Sequence, residues 1–284
     1  MKRIIKLFVN LMAVLMLVTA CFSFAGCGKE DIVKVELKLS IYNYAEETWY
    51  EESETTLTVK LYRHLAPVTV TKMIEYINEG YYNDTIFYTI DGNTDKIMIG
   101  DLKMDEAGRI YQNDIKPTIE NEFENGTTKG SDLLVENGSI ALWRTWYARD
   151  EYSTTPVEDT GRATWFMPTK KLSGYTGNFC VFAKIDVLDE TNANTLQHLK
   201  DALLSKDYLE DYTVYYTGEY DAQLKDANHG LTFNCEKDVN LENVDKLFKA
   251  DDYEYVCYNS CTINVAKAGA GQNYGAKIVS AKII

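Results

Sequence analysis

Residues 57–90 constrain the fold more than any other part of the chain, because they contain the signals of a strand, a helix and a second strand in direct succession. Apolar residues alternate with polar ones along the first strand, the period of a half-buried strand: Leu57, Val59 and Leu61. Pro67 then begins a helix, where its missing N–H costs nothing, and Gly80 ends it. An apolar stripe at helical spacing marks the buried face of this helix: Val70, Met73, Ile74 and Ile77. The second strand runs through Ile86, Phe87 and Ile90.

Further elements are predicted on both sides of this segment. Alternation over residues 33–41 indicates a strand, which we expect to pair as a hairpin with the strand at Leu57. The turn Asp91-Gly92-Asn93 leads to a short strand over residues 96–101. A second helix is indicated by Leu196, Leu199 and Leu203, with Thr191 or Asn192 as its N-cap. The last strand covers residues 276–284.

Three motifs in the first segment carry a family resemblance. The string A-P-V-T-V at residues 66–70 is followed by G-Y-Y at 80–82 and by T-I-F-Y-T-I at 85–90. Together they resemble the cyclophilin family of peptidyl-prolyl cis/trans isomerases, whose pattern is roughly A-P-x-T-V, G-x-Y and T-x-F-H-R. Phe87 matches the family Phe, whereas Tyr88 stands at the family His and Thr89 at the catalytic Arg.

More motifs follow in the family's order. Residues 96–101 resemble F-M-x-Q-G-G-D, with Gly100 in or near the place of the Gln that lines the groove, and residues 119–123 match I-x-x-E-F. Residues 137–145 resemble R-G-x-x-S-M-A-R-T, and residues 163–168 resemble S-Q-F-F-I, which puts Phe166 at the floor of the family's proline pocket. The resemblance implies a peptide-binding groove that includes the following side chains: Phe87, Tyr88, Met98, Trp143, Arg144, Phe166, Leu172 and Phe179.

The resemblance also implies a fold and a domain division. We expect a mainly β protein with two short helices, in which a closed antiparallel β-barrel is formed by residues 27–204 and 274–284. Residues 205–273 are then an insertion of unknown fold, expected to pack on the barrel as a subdomain because a structureless loop of this length is unusual in a compact domain. Its run of tyrosines favours packing against the barrel over stacking on sugar rings.

The N-terminus has the features of a bacterial lipoprotein signal. Lys2, Arg3 and Lys6 precede an uncharged apolar run that ends in Phe24-Ala25-Gly26-Cys27, which resembles a lipobox with Cys27 as the lipidated residue. Cys21 is a weaker candidate, and an uncleaved membrane anchor is the alternative. We therefore expect a signal peptide over residues 1–26 and a protein tethered by lipid to the outer face of the cytoplasmic membrane.

The net charge and the cysteine spacing argue against nucleic-acid binding and against a zinc site. Removing the three basic residues of the signal leaves 26 Lys and Arg against 43 Asp and Glu, a net charge near −17, which argues against nucleic-acid binding. Cys180 lies in an apolar strand and is expected to be a buried free thiol. We expect a disulfide from Cys235 to Cys257 or Cys261. A zinc site is less favoured, because Cys-x3-Cys has no second pair at ligand spacing. The acidic stretch over residues 120–132 is interpreted as a solvated loop, so no metal site or cofactor is predicted.

The substitution at Thr89 bears directly on activity. Rotation about an X–Pro bond has a barrier of ~18–20 kcal/mol, and the family lowers it with a pocket for the proline ring and a guanidinium that donates to the prolyl nitrogen. By analogy with an oxyanion-hole donor, the loss of that guanidinium lowers the rate by about 10²–10³. Arg144 is a candidate replacement, although its match to the family's A-R-T favours a structural role. Three functions remain open: a weak isomerase acting on proline-containing clients, a non-catalytic protein-binding lipoprotein, and a carbohydrate- or host-binding module that uses the insertion.

Overall fold

The computed structural model describes residues 31–124, 127–128, 133–144, 161–217, 232–237 and 261–284. Residues 32–284 belong to one compact unit. The described ranges are mainly β, with two α-helices, α1 (Pro67–Asn78) and α2 (Glu190–Leu204), which confirms that part of the predicted fold. The strands are β1 (Ile32–Asn43), β2 (Thr48–Trp49), β3 (Thr56–Tyr62), β4 (Tyr88–Ile90), β5 (Asn93–Ile99), β6 (Leu102–Met104), β7 (Ile110–Gln112), β8 (Phe123–Glu124), β9 (Thr127–Thr128), β10 (Ser139–Leu142), β11 (Trp165–Pro168), β12 (Val181–Ile185), β13 (Leu209–Thr217), β14 (Thr232–Lys237), β15 (Cys261–Ala266) and β16 (Ala276–Ile283). No described helix is long and apolar enough to cross a membrane.

The predicted hairpin between the first two long strands is confirmed. β1 and β3 run antiparallel, with Val35 opposite Val59 and Leu37 opposite Leu57. These four side chains are buried on the same face, as the alternation requires. Helix α2 packs on this part of the sheet, where its Asn192 Oδ1 accepts a hydrogen bond from Thr58 N at 2.8 Å.

Helix α1 begins at Pro67, as predicted, and is capped from a distant part of the chain. The two carboxylate oxygens of Glu122 accept hydrogen bonds from Val68 N at 2.7 Å and Thr69 N at 2.8 Å. Two N–H groups that a helix leaves without an internal partner are thereby satisfied, by a negative charge at the positive end of the helix dipole. The interpretation of the acidic stretch as a solvated loop is therefore wrong for Glu122, because Glu122 is buried.

The N-cap predicted for α2 is also wrong. The cap is Asp189, whose Oδ1 accepts a hydrogen bond from Asn192 N at 3.0 Å. The side chain of Asn192 cannot serve as the cap because it is bonded to β3 and to Asp186 O. The helix therefore begins at Glu190, earlier than either predicted cap would allow.

A two-residue turn joins β4 to β5. Asp91 and Gly92 both have positive φ, 51° and 66°, and Ile90 pairs with Asn93 across the turn. Such a turn matches the twist of the flanking strands, which is why an Asp-Gly pair is favoured there. At the other end of β5, Gly100 has φ 114°, and a Cβ at this position would lie 2.7 Å from Ala163 O. No side chain fits at residue 100, so a groove Gln is excluded from this position.

One sheet contains most of the described strands. Their order is β14-β13-β15-β4-β5-β11-β10-β12-β3-β1-β16, with β2 paired to β1. The last strand also approaches the segment that precedes β4, since Phe87 N donates to Ala276 O at 3.2 Å and Ile278 N donates to Thr85 O at 2.9 Å. The closed barrel and the domain boundaries remain predictions. These hydrogen bonds favour the closed barrel.

The described part of residues 205–273 continues this sheet. β13 lies between β14 and β15, and β15 pairs with β4 through Ile263 opposite Ile90, Asn264 opposite Thr89 and Val265 opposite Tyr88. The segment thus joins the sheet at the strand that carries the family's catalytic position.

The strand registers also test one predicted disulfide. Cys235 in β14 and Cys261 in β15 both lie opposite Val214 of β13, on its two sides. Two strand spacings are about 9.5 Å, and a disulfide requires Cα atoms within about 7 Å. The pairing of Cys235 with Cys261 is therefore wrong, whereas Cys257 lies outside the described residues. Cys180 is a buried free thiol, as predicted.

Candidate functional site

Three adjacent strands bring part of the predicted groove together. Tyr88 of β4 lies opposite Met98 of β5, and Met98 lies opposite Phe166 of β11. All three side chains belong to one hydrophobic cluster, called the second cluster here, which also contains Leu172 and Phe179. The other buried members of this cluster are Ile86, Leu102, Ile110, Val135, Ala141, Val181, Tyr212, Val214, Ile263 and Val265. Trp143 packs against this cluster, so six of the eight predicted groove residues share one site.

Two predicted groove residues lie elsewhere. Phe87 packs in the first cluster, the larger core that contains β1, β3 and the two helices, because it alternates with Ile86 and Tyr88 along the chain. Arg144 is buried, and its Nη1 donates a hydrogen bond to Asn178 O at 2.6 Å. That contact ties β10 to the loop before β12, in keeping with the structural role that the motif favoured.

Phe166 is enclosed by other aromatic rings. Its ring meets Trp143, Tyr175 and Phe179 edge to face, with centroid separations of 5.8, 6.0 and 5.2 Å. We call these four residues the aromatic cluster. Phe166 and Phe179 are 0 % exposed, whereas Trp143 and Tyr175 are half-buried at its rim. The position that matches the floor of the family's proline pocket is thus covered by side chains of the chain itself.

Strands β13 and β15 cover the same face. Tyr212 and Val214 of β13 and Ile263 and Val265 of β15 are buried in the second cluster beside Tyr88 and Met98. These four side chains come from strands that the predicted barrel does not include. The face that would hold a proline ring in the family is therefore packed as a second hydrophobic core.

Thr89, the family's Arg position, is buried beside β15. Its side chain is 1 % exposed, and its Oγ1 donates to Asn264 Oδ1 at 3.4 Å. The same Asn264 oxygen accepts from Gly92 N at 2.7 Å, and its Nδ2 donates to Asp211 Oδ1 at 2.6 Å. Asn264 thus fixes the β4–β5 turn to β13 and β15, and Thr89 has no exposed donor to offer to a bound peptide.

Tyr88, at the family's His position, makes a buried polar contact. Its hydroxyl donates to Asp101 Oδ1 at 2.8 Å. Burial of the Asp101 carboxyl raises its pKa to about 6, and the hydrogen bond from Tyr88 opposes that rise. Asp101 also borders a small polar cavity of about 40 Å³ that is lined in part by Asn113, Lys116 and Arg162. Asp101 therefore contacts both the Tyr88 hydroxyl and this cavity.

Lys96 is a residue that the sequence analysis did not single out. It lies in β5 opposite Pro168, is 6 % exposed, and its ammonium lies 5.8 Å from the Trp143 ring centroid and 5.3 Å from that of Tyr175. A Lys two residues before Met98 on an alternating strand predicts the same face, which is the signal that could have found it. Within the described residues, no three His, Cys, Asp or Glu side chains cluster as a metal site would require.

Comparisons with known proteins agree with the resemblance. The family model described as cyclophilin type peptidyl-prolyl cis-trans isomerase/CLD matches residues 49–215. A solved Cryptosporidium parvum cyclophilin type peptidyl-prolyl cis-trans isomerase is similar at 14 % identity over 62 % of this chain and 88 % of that chain, with a TM-score of 0.40. The same protein in the presence of the dipeptide Ala-Pro is similar at 17 % identity over 61 % and 88 %, with a TM-score of 0.38. No curated protein matches. From the match over residues 49–215, the chain belongs to the cyclophilin-type peptidyl-prolyl cis-trans isomerase family.

Proposed function

We propose that this chain is a non-catalytic, protein-binding member of the cyclophilin family. The observation that carries the proposal is the complete burial of Phe166 within the aromatic cluster. A proline ring can enter this site only if Trp143, Tyr175 or Phe179 leaves it. Because closely packed interiors have no spare volume, that displacement would cost several favourable ring contacts.

The chemistry at residue 89 supports the same proposal. Isomerisation needs a donor directed at the prolyl nitrogen as its lone pair develops in the twisted state. Thr89 Oγ1 is directed at Asn264, and the backbone of Thr89 is paired with β15. Arg144, the candidate replacement, is engaged with Asn178 O.

The third function, carbohydrate binding through the insertion, has less support. Of the tyrosines in that segment, Tyr208 stacks on Tyr44 at 4.5 Å between centroids and Tyr212 is buried in the second cluster. Both rings are used for packing within the protein. Tyr220 and the side chains of Tyr215 and Tyr216 lie outside the described residues.

The test is the cis/trans exchange of an Ala-Pro peptide followed by NMR line broadening in the presence of the full chain. We expect no exchange above the uncatalysed rate, with an active cyclophilin as positive control. Thr89→Val keeps the shape of the side chain and removes its hydroxyl, so it controls for a contaminating isomerase. Catalysed exchange by the wild type that exceeds the exchange with Thr89→Val would overturn the proposal.

We further propose that the protein is held on the outer face of a bacterial cytoplasmic membrane by a lipid on Cys27, after removal of residues 1–26. The lipobox-like string that ends at Cys27 supports this, and it lies outside the described residues. Labelling with radioactive palmitate should mark the wild type and Cys21→Ser, and should fail to mark Cys27→Ser. Equal labelling of Cys27→Ser would contradict the lipid anchor.

The proposal includes the closed barrel of residues 27–204 and 274–284 with its insertion at 205–273. The backbone hydrogen bonds between β16 and the segment before β4 support closure, because they join the last strand of the order to the segment that leads into β4. Hydrogen exchange gives the measurement: the amides of Phe87 and Ile278 should be protected as strongly as those of central strands. Rapid exchange at both would mean that the barrel is open there.

A further inference from the structure

Lys96 is a buried cation with few partners. Its side chain enters the second cluster from β5, and the residue is 6 % exposed. Among the described residues, the structure gives its ammonium one hydrogen-bond acceptor, Tyr175 Oη at 3.4 Å. An ammonium has three N–H donors, and buried charges are normally paired with an opposite charge. Lys96 therefore retains donor capacity that this contact does not use.

The ammonium lies against two half-buried rings. It faces Trp143 and Tyr175 at 5.8 and 5.3 Å from their centroids, distances at which a cation is attracted by the ring face. Both rings lie nearly parallel to Phe179, at interplanar angles of 18° and 21° and centroid separations of 5.6 and 4.8 Å. Both rings therefore pack on a neighbour that is fully buried.

The neighbouring charges leave this ammonium available for an anion. Asp95, the adjacent residue on the strand, pairs with Lys170 at 2.5 Å and not with Lys96. A carboxylate is a planar anion whose two oxygens accept charge-assisted hydrogen bonds, and it is the commonest such group on proteins.

We propose that Lys96, Trp143 and Tyr175 form a binding site for a carboxylate of a protein partner. The inference rests on the proposed function, because it names the chemistry by which this face recognises a protein. Lys96 donates charge-assisted hydrogen bonds to the carboxylate oxygens, and the two rings flank the aliphatic part of the ligand. The carboxylate comes from a chain terminus or from a Glu side chain, and both present the same group.

The experiment uses four peptides and the indole N–H signals of the full chain labelled with ¹⁵N. Acetyl-Ala-Ala-Ala is compared as the free acid and the amide, and acetyl-Ala-Glu-Ala-amide is compared with acetyl-Ala-Gln-Ala-amide. The Trp143 signal is assigned with Trp143→Phe. We expect an acid peptide to shift this signal in a saturable manner and its neutral counterpart to bind at least about tenfold more weakly. The pair that shows the difference identifies a terminal or a side-chain carboxylate.

Two variants separate the site from general electrostatics. Lys96→Met keeps the length of the side chain in an apolar environment and should weaken acid binding about tenfold or more. Lys171→Met removes an exposed charge of the same sign that does not take part in the Asp95–Lys170 pair, and it should leave binding within twofold. Equal binding of acid and neutral peptides, an unchanged affinity of Lys96→Met, or no saturable shift with any peptide would each overturn the inference. Prolyl exchange catalysed by the wild type would instead overturn the proposed function. The carboxylate site would still be tested by these titrations alone.

Discussion

The replacement Phe166→Ala distinguishes a filled core from an open proline pocket. Phe166 is 0 % exposed and has three aromatic neighbours, so its truncation removes a complete set of contacts and leaves a cavity. Phe-to-Ala changes in cores cost about 3–5 kcal/mol of unfolding free energy. If Phe166 were instead the floor of an open pocket, one face of its ring would already be hydrated. The loss would then stay below about 2 kcal/mol.

Urea unfolding of the full chain followed by far-UV circular dichroism measures this difference. Phe166→Ala should lower the midpoint without changing the slope, and Phe166→Leu, which keeps most of the volume, should cost less than about 1.5 kcal/mol. Tyr111→Ala is the matched control, because Tyr111 is 46 % exposed and its loss should stay within about 0.5 kcal/mol. A loss for Phe166→Ala no larger than that of Tyr111→Ala would refute the filled core.

The remaining predictions concern buried polar groups. Because burial raises the folded-state pKa of Asp101 to about 6, the folded protein keeps a proton that the unfolded chain releases near pH 4. The wild type should therefore lose up to about 3 kcal/mol of stability as the pH rises from 4 to 6, and Asp101→Asn should lack this component in urea titrations at several pH values. Glu122→Gln should cost about 1–3 kcal/mol in the same assay by weakening two charge-assisted hydrogen bonds, whereas the exposed control Glu120→Gln should change little. Burial raises the pKa of the Cys180 thiol to about 12, so iodoacetamide should modify Cys180 only when the protein is unfolded. Peptide mapping of native and urea-treated protein measures this modification. Modification of Cys180 in the native protein would contradict its burial.

The elements predicted from the sequence are those specified by local chemistry. Pro67 and Gly80 delimit α1 because each has a backbone preference that acts within one turn. The Asp91-Gly92 turn is of the same kind, since positive φ at both residues fixes a tight hairpin. Alternation predicted which face of the strand at Leu57 is buried, because side chains alternate between the two faces whichever strand lies alongside.

The errors concern contacts that join distant parts of the chain. Glu122 caps a helix that begins 55 residues earlier, and no local pattern distinguishes such a Glu from one in a solvated loop. Alternation assigns Phe87 and Phe166 to opposite faces only when the register of their strands is known. The pairing of Val265 with Tyr88 is equally non-local, and it places β15 over the second cluster.

Thr89→Arg is the change for which motif and structure predict opposite outcomes. The family motif alone implies that Arg at this position restores the catalytic donor. In the structure, residue 89 is 1 % exposed and lies against Asn264 of β15, so a guanidinium there would be desolvated or would displace β15. We expect a loss of about 2 kcal/mol or more in unfolding free energy, from burial of a charge without a designed partner, and no prolyl exchange. Urea unfolding and the Ala-Pro exchange assay on one preparation test both parts, with Thr58→Arg as a control on a β3 position that is not fully buried. A stable Thr89→Arg protein that catalyses exchange would mean that β15 leaves this face readily, and that the groove beneath it is still open to proline.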